Sequence, residues 1–242
     1  MTGDERDPII GERDPALLEH GGIEVLGRLA NSSNETFLVE VALGGDRQWA
    51  IYKPELGERP LLDFDPGLYR RERAAYLLSE ALGWGMVPTT VVREDAPFGV
   101  GSLQGFVEHD PNEHYFTLVA ETPQAHDELR RMALFDVVAN NTDRKAGHVL
   151  RGADGRLWGI DHGLCFAAAF KLRTVIWDFA GERVDDGLLA DVGPLADQVP
   201  ADVADLLTGG EVRALRQRVR TLLAAPALPV DHTGMRYPWP LV

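Results

Sequence analysis

The sequence predicts an α+β fold in two lobes, an antiparallel sheet followed by a mainly helical part. Short runs of alternating apolar and polar residues recur between residues 23 and 107, broken by glycine and polar turns. Helical spacing dominates from residue 127 onward. A β-hairpin interrupts the helices, with an acid at each foot, Asp143 and Asp161. The 242 residues suffice for one large domain or for two lobes sharing a cleft, and a hydrophobic content of 45% is ordinary for a globular chain.

Residues 1–20, with Pro8 and Pro15, read as a polar arm. Ile23–Leu29, Thr36–Val41 and Gln48–Lys53 read as three antiparallel strands; the first turn is the polar stretch Asn31–Asn34, the second Gly44-Gly45-Asp46. Glu55–Pro66 is a loop rich in proline and acids. Leu68–Leu82 has helical spacing, with Leu68, Ala75, Leu78 and Leu82 on one face, and Gly83 stops it. Val87–Val92 and Gly99–Val107 read as further strands. Leu118–Ala125 carries no motif. Asp127–Ala139 is a helix leading into the polar turn at Asp143. Pro194–Leu207 and Glu211–Ala225 read as two amphipathic helices, and the tail, with Pro226, Pro229, Pro238 and Pro240, as a strap over the surface.

Composition narrows the function. No apolar run reaches membrane-spanning length, and the charged stretch Met1–Arg13 does not read as a signal peptide, so a soluble cytoplasmic protein is expected. The single Cys165 rules out an internal disulfide, fits a reducing compartment and reads as a packing residue. A net charge of -14 disfavours nucleic acid and anionic membrane surfaces as partners. Arg130, Arg131, Arg144, Lys145, Arg151 and Arg156 gather around the hairpin; they form a local basic face or balance nearby acids.

The hairpin carries the chemistry. Val149 and Leu150 lead in, Gly152–Gly155 turns and Arg156–Ile160 returns, which brings Asp143, His148 and Asp161 toward one point. Two acids and an imidazole suit a divalent metal, and a metal beside a carboxylate suits phosphate chemistry. A rival histidine site at His109, His114 and His126 matches no ligand spacing.

The run Asp143-Arg144-Lys145-Ala146-Gly147-His148-Val149-Leu150, followed by Ile160-Asp161-His162-Gly163, resembles the phosphatidylinositol 3-/4-kinase-like branch of the protein-kinase superfold. It is similar, more distantly, to HipA-type bacterial kinases. Lys145 stands where that branch has His, and His148 where it has a metal-binding Asn. An imidazole is softer than an amide oxygen, which brings in Mn²⁺ beside Mg²⁺.

The resemblance implies an antiparallel-sheet N-lobe over residues 21–108, a helical C-lobe over 109–242, and ATP with Mg²⁺ or Mn²⁺ as cofactors. It implies Asp143 as the catalytic residue that accepts or orients the acceptor hydroxyl's proton, and His148 and Asp161 as metal ligands. It implies Lys53, held by Glu72, on the nucleotide's α and β phosphates, and Ser32, Ser33 and Asn34 above the phosphates. Phe106, Val107 and Glu108 become the hinge beside adenine. Arg144 binds phosphate or braces the loop through a carboxylate, bracing being the preferred reading, and Asn141 holds the loop's backbone by an Asx-turn. The implied reaction is transfer of a phosphoryl group to a hydroxyl of a protein or small polyol. Its alternatives are a nucleotide-binding pseudokinase and an AMP transferase on the same fold.

Overall fold

The computed structural model describes residues 15–29, 32 and 34–242. Strands β1 (Gly22–Arg28), β2 (Phe37–Leu43), β3 (Asp46–Pro54), β4 (Thr90–Arg93) and β5 (Gly101–Gly105) form one antiparallel sheet in the order β1-β2-β3-β5-β4. Alternation along β3 divides its two faces. Gln48, Ala50 and Tyr52 are buried, while Trp49, Ile51 and Lys53 point the other way and keep some exposure.

The buried face is covered by helix α1 (Pro15–His20). Leu17 and Leu18 pack there with Val39, Val41, Ala50, Tyr52 and Leu103. The end of the stretch read as a polar arm is therefore part of the sheet's core. Two adjacent leucines in an otherwise polar run are too few to show a period.

The first three strands form within a residue or two of their expected limits. The last two are shorter than Val87–Val92 and Gly99–Val107. Met86 and Val87 turn away from the sheet and donate their N–H groups to Ser79 Oγ at 2.9 and 3.3 Å. Helix α2 (Leu68–Ala81) buries the predicted apolar face, and Gly83, at φ 68°, allows the chain to leave it.

The second lobe packs helix α3 (Tyr115–Glu121), a 3₁₀ turn at Pro123–Ala125 and helix α4 (His126–Ala139) around a large apolar core that also receives α2. Helix α3 overlaps the stretch Leu118–Ala125, where no motif was legible; Tyr115 and Leu118 are buried, with Phe116 and Val119 partly buried against the core. The hairpin forms as β6 (Val149–Arg151) and β7 (Leu157–Gly159). Beyond it come α5 (Asp186–Val192), capped by the Asp185 carboxylate, then α6 (Ala201–Ala204) and α7 (Gly209–Ala224), capped by Thr208. The expected helix Pro194–Leu207 is in fact a 3₁₀ turn at Gly193–Ala196 plus α6, because Pro200 has no N–H to carry a helix through.

Candidate active site

Helix α4 ends on Asn140, whose left-handed backbone (φ 52°, ψ 57°) turns the chain sharply toward Asp143. The Asn140 side chain reinforces the turn by donating to the Ala167 and Ala169 carbonyls, both at 2.8 Å. Asn141 accepts the Asp143 N–H at 3.0 Å, which is the expected Asx-turn.

Arg144 is fully buried and points inward. Its guanidinium forks onto the equally buried Asp136 at 2.9 Å and donates to the Ile160 carbonyl at 2.9 Å and the His148 carbonyl at 3.2 Å. One side chain thus ties α4 to both feet of the hairpin. Asp136 was not picked out from the sequence. It sits on the apolar face of a helix, and its only signal was being an acid where the period calls for a hydrophobe.

Lys53, at the end of β3, meets two carboxylates. Its Nζ lies 2.5 Å from Glu72 Oε1 on α2 and 2.6 Å from Asp161 Oδ1 beyond β7. Glu72 Oε2 also accepts the His162 N–H at 2.9 Å. Burial opposes the ammonium charge, but Asp161 and Glu72 outweigh it and hold the Lys53 pKa above its ordinary value. Burial likewise opposes ionisation of Asp161, and Lys53 and His148 reverse it, leaving this carboxylate well below the usual range. The Asp161 backbone is left-handed, with φ 60°, a costly conformation for a residue with a Cβ.

His148 Nε2 lies 3.2 Å from Asp161 Oδ2. Burial, together with nearby cations and against the pull of Asp161, lowers the His148 pKa to about 4, so the ring is neutral. Asp143 lines the same cavity but pairs with Lys145, Nζ to Oδ2, at 3.3 Å. Burial raises the Asp143 pKa, with Lys145 pulling the other way and Asp161 adding to the rise.

Ser32, Asn34, Lys53, Glu72, Asp143 and Asp161 line one cavity between the lobes. Ser33 lies outside the described residues. Phe106, Val107 and Glu108 follow β5 and connect the lobes. The Phe106 N–H is held by the Trp49 carbonyl, and none of the three is among the described residues lining the cavity.

Asp143 and Asp161 line one cavity and His148 pairs with Asp161, yet among the described residues no group of three or more His, Cys, Asp or Glu side chains is placed to hold a metal. His148 and Asp161 do form a pair. Their 3.2 Å separation suits neighbouring ligands of one hard cation, which at about 2.1 Å per bond lie about 3 Å apart, provided phosphate oxygens or water complete the shell.

Of the two readings left open for the basic residues near the hairpin, the pairing with acids is the one seen. Arg130 pairs with Glu182, Arg144 with Asp136, Lys145 with Asp143 and Arg151 with Glu113; Arg156 stacks on Trp158. Cys165 is buried, and burial pushes its thiol pKa well up, as suits packing.

The sequence matches the family described as phosphatidylinositol 3- and 4-kinase over residues 68–192, just over half of the chain. It is 41% identical to Protein Rv2133c of Mycobacterium tuberculosis, in an alignment covering 93% of this chain and 94% of that protein. It is 29% identical to phosphatidylinositol 4-kinase gamma 4 of rice, Oryza sativa subsp. japonica, over 55% of this chain and 29% of that one. The fold is similar to that of the Golgi casein kinase solved with Mn and ADP, with a TM-score of 0.53, 12% identity, and coverage of 93% of this chain and 78% of that one.

Proposed function

The chain belongs to the phosphatidylinositol 3- and 4-kinase family and is a phosphotransferase of kinase-like fold, and on that premise we propose that it transfers the γ-phosphoryl group of ATP to a hydroxyl, with Mg²⁺ or Mn²⁺. One observation carries the reading. Lys53 is clasped between Glu72 and Asp161, at 2.5 and 2.6 Å, in the cavity that Asp143 also lines.

Phosphoryl transfer asks mainly for positioning and charge. Lys53 binds the α and β phosphates, and Glu72 keeps its Nζ in place. Ser32 and Asn34 lie over the phosphates. Asp143 orients the acceptor hydroxyl and takes its proton. Asp161 and His148 are the residues to hold the metal, which when bound supplies positive charge to the β and γ phosphates. Phe106, Val107 and Glu108 remain the proposed hinge beside the base. The Golgi casein kinase solved with Mn and ADP is consistent with this choice of cofactors. The net charge of -14 and the paired arginines favour a protein or small polyol acceptor over an anionic lipid surface.

A second reading, a nucleotide-binding regulatory module without transfer, draws on one feature. The Lys145 N–H donates to His148 Nδ1 at 3.4 Å, which leaves the ring proton on Nε2, the nitrogen facing Asp161. His148 Nε2 could serve as a metal ligand only after giving up that proton. Incubation with γ- and α-labelled ATP and either metal separates the readings. The kinase predicts γ-label transfer or ADP release that is lost in Asp143→Ala. The regulatory module predicts nucleotide binding without turnover, and transfer of α-label would instead mark an AMP transferase.

A further inference from the structure

The loop from Asn141 to His148 has little regular structure, so its shape rests on where its N–H groups go. Thr142 donates to the Leu164 carbonyl at 3.1 Å, Asp143 to Asn141 Oδ1 at 3.0 Å and Arg144 to the Arg173 carbonyl at 3.1 Å. Those partners all come from the loop itself or from the segment after Asp161. The Ala146 N–H is different: it donates to the Leu241 carbonyl at 2.7 Å. Ala146 is fully buried with the strap in place, so in the intact chain Leu241 rather than solvent satisfies that N–H.

The strap that supplies it runs a long way. The Pro226 carbonyl accepts from Val184, the Leu228 carbonyl from Gly181, and the Arg236 carbonyl from both Thr174 and the Trp177 indole. Thr174 in turn bridges to Arg144. The Leu241 side chain packs on the large core, while Trp239 and Met235 stay 86% and 79% exposed. The strap is thus held at spaced points, and its last contact is the loop between Asp143 and His148.

We propose that Leu241 is a positioning residue: through its carbonyl, the C-terminal strap completes the loop that presents Asp143 and His148. The physical coupling stands on the hydrogen bonds alone, and its consequence for turnover rests on the phosphotransferase reading above.

The test compares four chains: residues 1–242, a truncation lacking residues 240–242, Ala146→Pro, and the two combined. Proline at 146 removes the N–H that needs the acceptor. It suits the first position of the 3₁₀ turn, because Lys145 before it is already extended (φ -87°, ψ 164°). Truncation is expected to speed hydrogen exchange across residues 142–148 while leaving residues 37–54 unchanged. It is also expected to lower kcat for ADP release with Mg·ATP about tenfold, with the nucleotide KM held within about twofold.

In the Ala146→Pro background the same truncation is expected to do little, because no donor is left unpaired. An equal loss in both backgrounds, or unchanged exchange and kcat after truncation, overturns the proposal. Should the truncated chain fail to fold, exchange of residues 236–242 in untruncated Ala146→Pro decides instead. Faster exchange there supports the link, and an unchanged rate overturns it. If the full chain releases no ADP, the phosphotransferase reading fails, while the exchange data still decide the coupling.

Discussion

Asp143 and Lys53 lie in the same cavity, yet folding treats their charges oppositely. The Asp143 pKa is raised, so the folded chain binds this proton more tightly than the unfolded chain does. The stability this contributes is complete below the unfolded pKa and lost as pH rises through the folded one. Ionised Asp143 is therefore a strain at neutral pH. Asp143→Asn is expected to raise the melting temperature at about pH 7.5, with the gain vanishing near pH 3, while abolishing turnover. Scanning calorimetry at the two pH values checks the sign. Turnover should fall with acid at a higher pH than an ordinary aspartate would set, which a pH–rate profile measures.

Lys53 is the reverse case. Its raised pKa contributes stability that is fully present at neutral pH and lost only as pH rises through the folded value. Lys53→Met leaves the buried Glu72 without its cation and should cost about 3 kcal/mol or more, read by urea unfolding.

At the scale of elements, the hairpin is aimed by Arg144. The guanidinium spends its donors on Asp136 and on two carbonyls from opposite feet of the hairpin, a planar fork that an ammonium cannot reproduce. Arg144→Lys should therefore fail to restore what Arg144→Ala loses, about 3–5 kcal/mol in denaturant unfolding, since either change leaves Asp136 poorly compensated in the core. The hairpin itself was legible in the sequence, because its glycine turn and flanking apolar runs are local signals. Asp136 and its partner Thr174 were not, because what they do depends on residues brought together only by folding. For the same reason the arginines near the hairpin left two readings open: a charge shows its sign in the sequence, never its partner.

Across the whole molecule, the two lobes meet at the Lys53, Glu72 and Asp161 contact, with the cavity beside it. Among the described residues no helix is long and apolar enough to cross a membrane. The proposed metal is held by Asp161 and His148 together with the nucleotide's phosphates, so a chelator alone is expected to leave the melting temperature of the ligand-free chain unchanged. Mg·ATP should raise it, by about 2.7 kcal/mol of stability at a hundredfold excess over Kd, and the same chelator should cancel that rise. Differential scanning fluorimetry with and without EDTA reads both effects.

The sequence alone determined the sheet strands, the helices α2, α4 and α7, the hairpin, the turn chemistry around Asp143, and the two short motifs that carry the family resemblance, because each depends on neighbours along the chain. Tertiary structure decided the rest. It buried α1 under the sheet, left Phe106–Glu108 outside the cavity lining, gave Lys53 two carboxylates, and supplied the acceptor for Ala146 from the far end of the chain. Burial and pairing energies depend on distances in space, and periodicity along a chain carries no record of them.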